Sequence, residues 1–212
     1  MLNQFRKVLV LSPHTDDGEL GAGGAIARLC EVGAEVHYAA FSTAEASVPA
    51  HLPRNILAAE VREATRELGI RPENLHVYKY EVRKLNYVRQ EILEELVRLR
   101  AAHDFDLVLM PTLDDIHQDH STVAMEGLRA FKTITILGYE LIWNNLTFET
   151  SGFVTLGDAH LRRKVAALEK YKSQSGRAYM SSEFVYSLAR ARGVQIGAEY
   201  AEAFKIIRWI MR

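Results

Sequence analysis

Two short segments hold the residue types that can do chemistry. The first reads Ser12-Pro13-His14-Thr15-Asp16-Asp17-Gly18-Glu19-Leu20-Gly21-Ala22-Gly23-Gly24, and the second Pro111-Thr112-Leu113-Asp114-Asp115-Ile116-His117-Gln118-Asp119-His120. Histidine and aspartate bind a borderline metal through nitrogen and oxygen. His14 with Asp17, and His117 with His120, have the i, i+3 spacing that lets two side chains converge on one ion in a helical turn. Two histidines and one carboxylate suit a catalytic zinc that keeps a position for water, and the same triad suits ferrous iron. Such a water drops from a pKa of about 16 to about 7 in favourable sites. A second carboxylate can then collect its proton as general base. The adjacent pair Asp16 and Asp17 offers both parts, one to bind and one left free.

These residues need a frame to bring them together, and the rest of the chain supplies one. Residues 8–11 form a continuous apolar run, as expected of a strand covered on both faces. Leu20, Ile26, Leu29 and Cys30 then recur at helical spacing until Gly33. The alternation continues with a strand over 36–41, a helix carrying Leu57, Val61, Thr65 and Leu68, and a short strand over 75–78. A helix through Val88, Ile92, Leu96 and Leu99 follows, then a strand over 106–110, a helix over 123–131 and a β-branched strand over 133–137. Further on come a short strand over 153–156 and a helix over 160–171, while 203–211 fits strand or helix. The pattern predicts one α/β domain over residues 1–212, a Rossmann-like, mostly parallel sheet with helices on both faces. In such sheets sites lie at the carboxyl ends of strands, and both polar segments fall just there. Either segment alone is also what a helix cap is made of. Two of them, both after strands, favour a site.

Composition bounds the function. The chain has 212 residues, with 26 Lys and Arg against 27 Asp and Glu. That near-neutral balance argues against a dedicated nucleic-acid binder, which needs a cationic face. Cys30 is the single cysteine, so no intrachain disulfide and no Cys-rich zinc module is possible. No stretch approaches the roughly 20 apolar residues of a membrane span. The apolar run after the first residues is too short for a signal peptide, and the expected setting is cytoplasmic. The glycines at 21, 23 and 24 do not make a dinucleotide fingerprint, because position 26 is Ile. They are expected to pack a helix closely against the sheet.

The stretch from Pro13 to Gly21, with His117-Gln118-Asp119-His120, resembles the LmbE-like, or PIG-L-like, family of metal-dependent N-deacetylases. The family's motifs are His-Pro-Asp-Asp-x-Glu-x-Gly and His-Pro-Asp-His. Glu60-Val61-Arg62-Glu63-Ala64 with Leu68-Gly69 is similar to its helix after the second strand. Thr15 and Gln118 stand where the family has prolines, which shape the loops and carry no chemistry. The resemblance implies His14, Asp17 and His120 as zinc ligands and Asp16 as general base. It implies His117 as oxyanion stabiliser or acid toward the leaving amine, oriented by Asp119, and Glu19 as a supporting or helix-capping group. It implies removal of acetyl from a GlcNAc-type N-acetylamino sugar or its conjugate, with Zn2+ as cofactor (Fe2+ being the other candidate), and a homo-oligomer.

Other pocket candidates are Arg54 before the second helix, for an anionic group, and Trp143 with Asn144, for a sugar ring and its hydroxyls. Tyr200 and the Ser173-Gln174 pair are similar to family segments near the pocket mouth. Arg162, Arg163 and Lys164 are expected on an exposed helix face. His37, His51, His76, His103 and His160 belong to neither motif. The competing function is a metal-bearing sugar-binding protein without turnover, against which the spare Asp16 argues. A nucleotide-binding oxidoreductase fails on the glycine pattern.

Overall fold

The computed structural model describes residues 2–211. Strands β1 (Lys7–Ser12), β2 (Glu35–Ala40), β3 (Leu75–Val77), β4 (Leu107–Pro111) and β5 (Thr135–Tyr139) run parallel in the order β3-β2-β1-β4-β5. Strand β7 (Tyr200–Arg208) joins β5 antiparallel, and β6 (Gly152–Leu156) pairs antiparallel with β7 at the edge. The segment that fits either state by sequence is therefore strand as far as Arg208, fixed by partners on both sides.

Helices α1 (Asp17–Glu31), α2 (Ile56–Leu68), α5 (Asp158–Leu168) and α6 (Ser182–Val194) cover one face, and α3 (Arg89–Ala102) and α4 (Gln118–Ala130) the other. The central strands feed both cores. Val8 and Val10 point to the α1 side, and Leu9 and Leu11 to the α3 side; Leu107 and Leu109 divide from Val108 and Met110 likewise. Burial on both faces is what makes these strands read as unbroken apolar runs. Among the described residues, no helix is long and apolar enough to cross a membrane.

Three features depart from the sequence expectation. Helix α4 begins at Gln118, because the polar run His117–His120 is itself the helix start and carries no apolar stripe. Helix α6 is not anticipated, since it buries only Val185, Ala189 and Gly193. Lys164 is buried rather than solvated. Its ammonium donates to Glu202 Oε1 and to the Leu20 carbonyl, each at 2.7 Å, while Glu202 also accepts from the amides of Gly24 and Ala25. A buried charge of this kind must be paired.

The topology sets the place of the site. From β1 the chain moves outward to β2 and β3, then returns across β1 and moves the other way through β4 and β5. The β1–α1 and β4–α4 loops therefore leave neighbouring strands in opposite directions, and a crevice opens between them. Glycines bring α1 down onto this end of the sheet. A Cβ on Gly21 would lie 2.2 Å from the Tyr139 ring, and one on Gly18 would lie 2.6 Å from Tyr38. The close-packing role expected of the glycine cluster holds.

Candidate metal centre

The crevice brings together the two polar segments. Three atoms form a nearly equilateral triangle: His14 Nδ1 to Asp17 Oδ2 is 3.1 Å, His120 Nε2 to Asp17 Oδ2 is 3.2 Å, and His120 Nε2 to His14 Nδ1 is 3.2 Å. Ligands 2.0–2.1 Å from a tetrahedral zinc stand about 3.3 Å apart. The donor set of two imidazoles and a carboxylate, and its spacing, fit such an ion.

Each imidazole is fixed from behind by a carboxylate. His14 Nε2 lies 3.0 Å from Asp119 Oδ2, and His120 Nδ1 lies 2.8 Å from Asp115 Oδ2. A carboxylate only accepts, so those nitrogens carry protons, and His14 Nδ1 and His120 Nε2 face the triangle, where they offer lone pairs to an ion once it displaces their second protons. Asp17 Oδ2 also accepts from the His14 amide at 2.8 Å, which closes the turn.

The supporting carboxylates tie in further loops. Asp119 is fully buried and accepts from the amides of Arg83 (2.6 Å) and Leu85 (3.2 Å). Asp115 accepts from the His117 amide at 2.8 Å. The expectation that Asp119 orients His117 needs revision. Its carboxylate serves His14, and only its backbone N–H reaches His117, donating to Nδ1 at 3.2 Å. His117 is thus the N-cap of α4, with its remaining proton on Nε2. Asp115 has no expected role by sequence. The available signal is its position two residues before a histidine that opens a helix, where an aspartate bonds forward to the backbone.

Charge separates the acidic pair. Burial favours the neutral form of both, but the imidazoles of His120 and His14 hold Asp17 well below the usual carboxylate range. Burial and the neighbouring Asp17 charge push Asp16 up to about 6. Burial also opposes charge on the two histidines. The Asp17 charge, with the bonds to Asp119 and Asp115, outweighs it and raises His14 to about 9 and His120 to about 10. His117 goes the other way, lowered by burial and by the adjacent His120 and His14. Glu19 sits beneath, buried, and accepts from the hydroxyls of Tyr38 and Tyr171; burial raises it to about 8. It locks α1 to β2 and to the turn after α5 instead of capping the helix.

Above the triangle is a cavity of about 290 Å³, lined on its floor by His14, Asp16, Asp17, His117 and His120. Trp143 and Asn144 line it as expected. Trp143 stacks on Tyr179 with centroids 4.0 Å apart, and Arg177 bonds the Tyr179 hydroxyl. Gln174 also lines it, on a turn held where Glu60 accepts from the amide and hydroxyl of Ser173. Arg54 and Tyr200 do not line it. Arg54 lies exposed in the turn before α2, and Tyr200 packs under Arg190 of α6, whose guanidinium carbon is 4.5 Å from the ring centroid. The cations that do line the cavity are Arg83 and Arg177, and neither has a local sequence signal. A larger hollow of about 470 Å³, lined by Phe5, Phe105 and Trp209, gathers no comparable set of titratable groups.

The profile of PIG-L, GlcNAc-PI de-N-acetylase, matches residues 9–131, more than half of the chain. The chain belongs to the PIG-L family. The match runs from β1 to the end of α4 and so includes both loops of the triangle. Among relatives of this family member, "Uncharacterized deacetylase YaiS" of Escherichia coli K12 is 29% identical over 176 residues, covering 81% of this chain and 93% of that protein. Diacetylchitobiose deacetylase of Thermococcus kodakarensis is 24% identical, covering 97% and 84%. Among solved structures, the 4-carboxy-2-hydroxymuconate hydratase GalB of Pseudomonas putida KT2440 shares the fold, with a TM-score of 0.76 and 19% identity, covering 98% of this chain and 98% of that one.

Proposed function

We propose that this PIG-L family member is a zinc-dependent hydrolase that removes the acetyl group from an N-acetylamino sugar or sugar conjugate. The observation that carries the proposal is the triangle of His14, Asp17 and His120 with a second carboxylate, Asp16, beside it in the cavity and outside every ion pair among the described residues. The deacetylase relatives support the reaction, and the diacetylchitobiose deacetylase supports the sugar class.

When bound at the triangle, zinc would polarise the acetamide carbonyl and acidify a water. The protein's own groups do the rest. Asp16, raised to about 6, takes the proton of the attacking water near neutral pH. The same carboxyl then returns that proton to the nitrogen as the C–N bond breaks, so acetate and a free amine leave. His117 accepts from the Asp119 amide through Nδ1, which leaves Nε2–H to donate to the developing oxyanion as a neutral imidazole. Trp143 and Tyr179 offer an aromatic wall to a sugar face, with Asn144, Gln174, Arg83 and Arg177 as polar partners.

The test is acetate release from a panel of N-acetylated sugars and conjugates, with chelated and zinc-restored protein. Acetate formed only with metal supports the reading. No acetate from any member, with water added across a double bond of an unsaturated acid instead, would move the protein to the chemistry of the Pseudomonas hydratase. Binding of the sugars without turnover would leave a metal-bearing binding protein.

A further inference from the structure

Three of the histidines outside both motifs come together on the edge of the sheet. His37 stands on β2, His76 on the neighbouring β3, and His103 directly follows α3. One ring nitrogen from each lies within 4.8 Å of the others. His37 Nδ1 is 3.1 Å from His76 Nε2, and the His37 and His103 ring centroids are 4.2 Å apart. His37 is buried, with its ring nearly perpendicular to that of Phe105; His76 and His103 are half-buried and leave a way in from solvent.

The tautomer of His37 follows from its neighbour. Glu35 Oε1 lies 2.8 Å from His37 Nε2 and can only accept, so Nε2 carries the proton and the Nδ1 lone pair faces His76. The chain Glu35–His37···His76 thus repeats the chain Asp119–His14···His120 of the crevice, where the facing nitrogens stand 3.2 Å apart. A hydrogen bond from His76 to His37 would account for two of the rings. It does not account for the third, because no hydrogen bond within the protein holds the His103 ring among the described residues.

We propose that His37, His76 and His103 form a second metal site that takes a divalent transition cation of the zinc class. Imidazole-only ligation selects zinc, copper or nickel over magnesium or calcium. Burial, ahead of any other cause, keeps His37 below the usual histidine range and His76 at about 4, so lone pairs are available without loss of a proton. The cation has a structural task there. Strand β3 has only three residues and one neighbour, and the ion ties it, with the turn between α3 and β4, to β2. Lys7 and Arg71 each approach Glu35 to 3.6 Å, and their charge makes this site the weaker of the two.

Equilibrium dialysis of the full chain against Zn2+, with metal counted by mass spectrometry, tests the proposal. The wild-type chain is expected to hold two equivalents, the second at least tenfold more weakly. His76→Gln and His103→Gln should each lose the second equivalent and keep the first. His120→Ala should weaken the first and keep the second. Zn2+ should raise the melting temperature of His120→Ala but not of the double variant with His76→Gln. Because His76 and His103 are half-exposed, these variants leave the core intact, and circular dichroism of each metal-free variant checks this. If His76→Gln does not fold, His103→Gln gives the same count. One equivalent in the wild type, or equal zinc binding by wild type and a folded His76→Gln or His103→Gln, would overturn the proposal without touching the deacetylase reading.

Discussion

His14, His117 and His120 gather at the crevice, and His37, His76 and His103 gather on the β2–β3 edge. The residue type is the same, but the electrostatics are opposite. At the crevice, Asp17, Asp115 and Asp119 surround the rings, outweigh burial, and lift His14 and His120 to about 9 and about 10. At the edge one carboxylate, Glu35, serves the rings and is shared with Lys7 and Arg71; burial dominates and His76 falls to about 4. Imidazoles make a place for a cation, whereas the number of carboxylates decides how much charge the place holds. A carboxylate to spare decides whether it can also handle protons. In the proposed function Asp16 serves that purpose at the crevice, whereas at the edge Glu35 is already engaged by His37, Lys7 and Arg71.

The sharpest way to break the contrast is to remove that carboxylate. Asp16→Asn makes the crevice resemble the edge, a cation holder without a base. Acetate release is expected to fall by about 10²–10⁴-fold, the usual value of a positioned general base. Metal content should stay the same, since Asp16 is not in the triangle. Full activity in a metal-replete Asp16→Asn protein would remove it from the mechanism.

A second set of changes compares the carboxylates behind the rings. Asp115→Asn takes the anion from His120 Nδ1 and should weaken zinc binding about 10–100-fold in a chelator competition. Glu35→Gln should cost the edge site less than tenfold. The Glu35 side chain is 33% exposed and already shared, so solvent screens its charge. Equal losses at the two sites would mean that burial of the supporting carboxylate does not matter.

The crevice was far more legible in the sequence than the edge. Its residues sit in two runs, because the loops after β1 and β4 must each supply several groups to one point. Local density therefore survives as a motif. Asp115 is less legible, because its role depends on a bond from five residues later, closed only once α4 forms. Arg83, Arg177 and Tyr179 come from separate segments, and a cavity wall of that kind has no spacing to detect. The edge cluster is one histidine each from two strands and a turn, so nothing local marks it. The positions of the five parallel strands followed from the apolar runs. Helix α6 and the burial of Lys164 did not, because a weak stripe and a lone lysine become interior only when β7 arrives with Glu202.

The clusters should also tilt the stability of the metal-free protein in opposite directions with pH. His14 and His120 titrate above the ordinary histidine value of about 6.5 when folded. Their contribution is complete below that value and is lost as pH rises through about 9 and about 10. His76 titrates below it, at about 4, so the unfolded chain takes up a proton that the folded chain does not. Stability therefore falls as pH drops from about 6.5 toward 4, by about 1–2 kcal/mol after allowance for its half-exposed ring. Urea melts of chelated wild type and His76→Gln should diverge on the acid limb between about 6.5 and 4, the wild type losing more, while the raised carboxyls of Asp16 and Glu19 contribute alike to both. An unchanged acid limb would mean that the ring is protonated in the fold.

The smallest expected effect tests the only buried side-chain polar atom left without a hydrogen bond among the described residues, the hydroxyl of Thr15. Thr15 lies between His14 and Asp16 at a position where the family's motif has proline, so the fold provides a partner for its carbonyl and none for a hydroxyl. The Thr15 carbonyl lies 2.9 and 2.7 Å from the hydroxyls of Tyr38 and Tyr171, each of which shares its one proton between that carbonyl and Glu19. Thr15→Val keeps the shape and removes the orphaned group. It should stabilise the chain by about 1 kcal/mol in denaturant melts and leave metal binding unchanged. Loss of stability instead would show that the hydroxyl has a partner in solution, a water bridging it to the crevice floor.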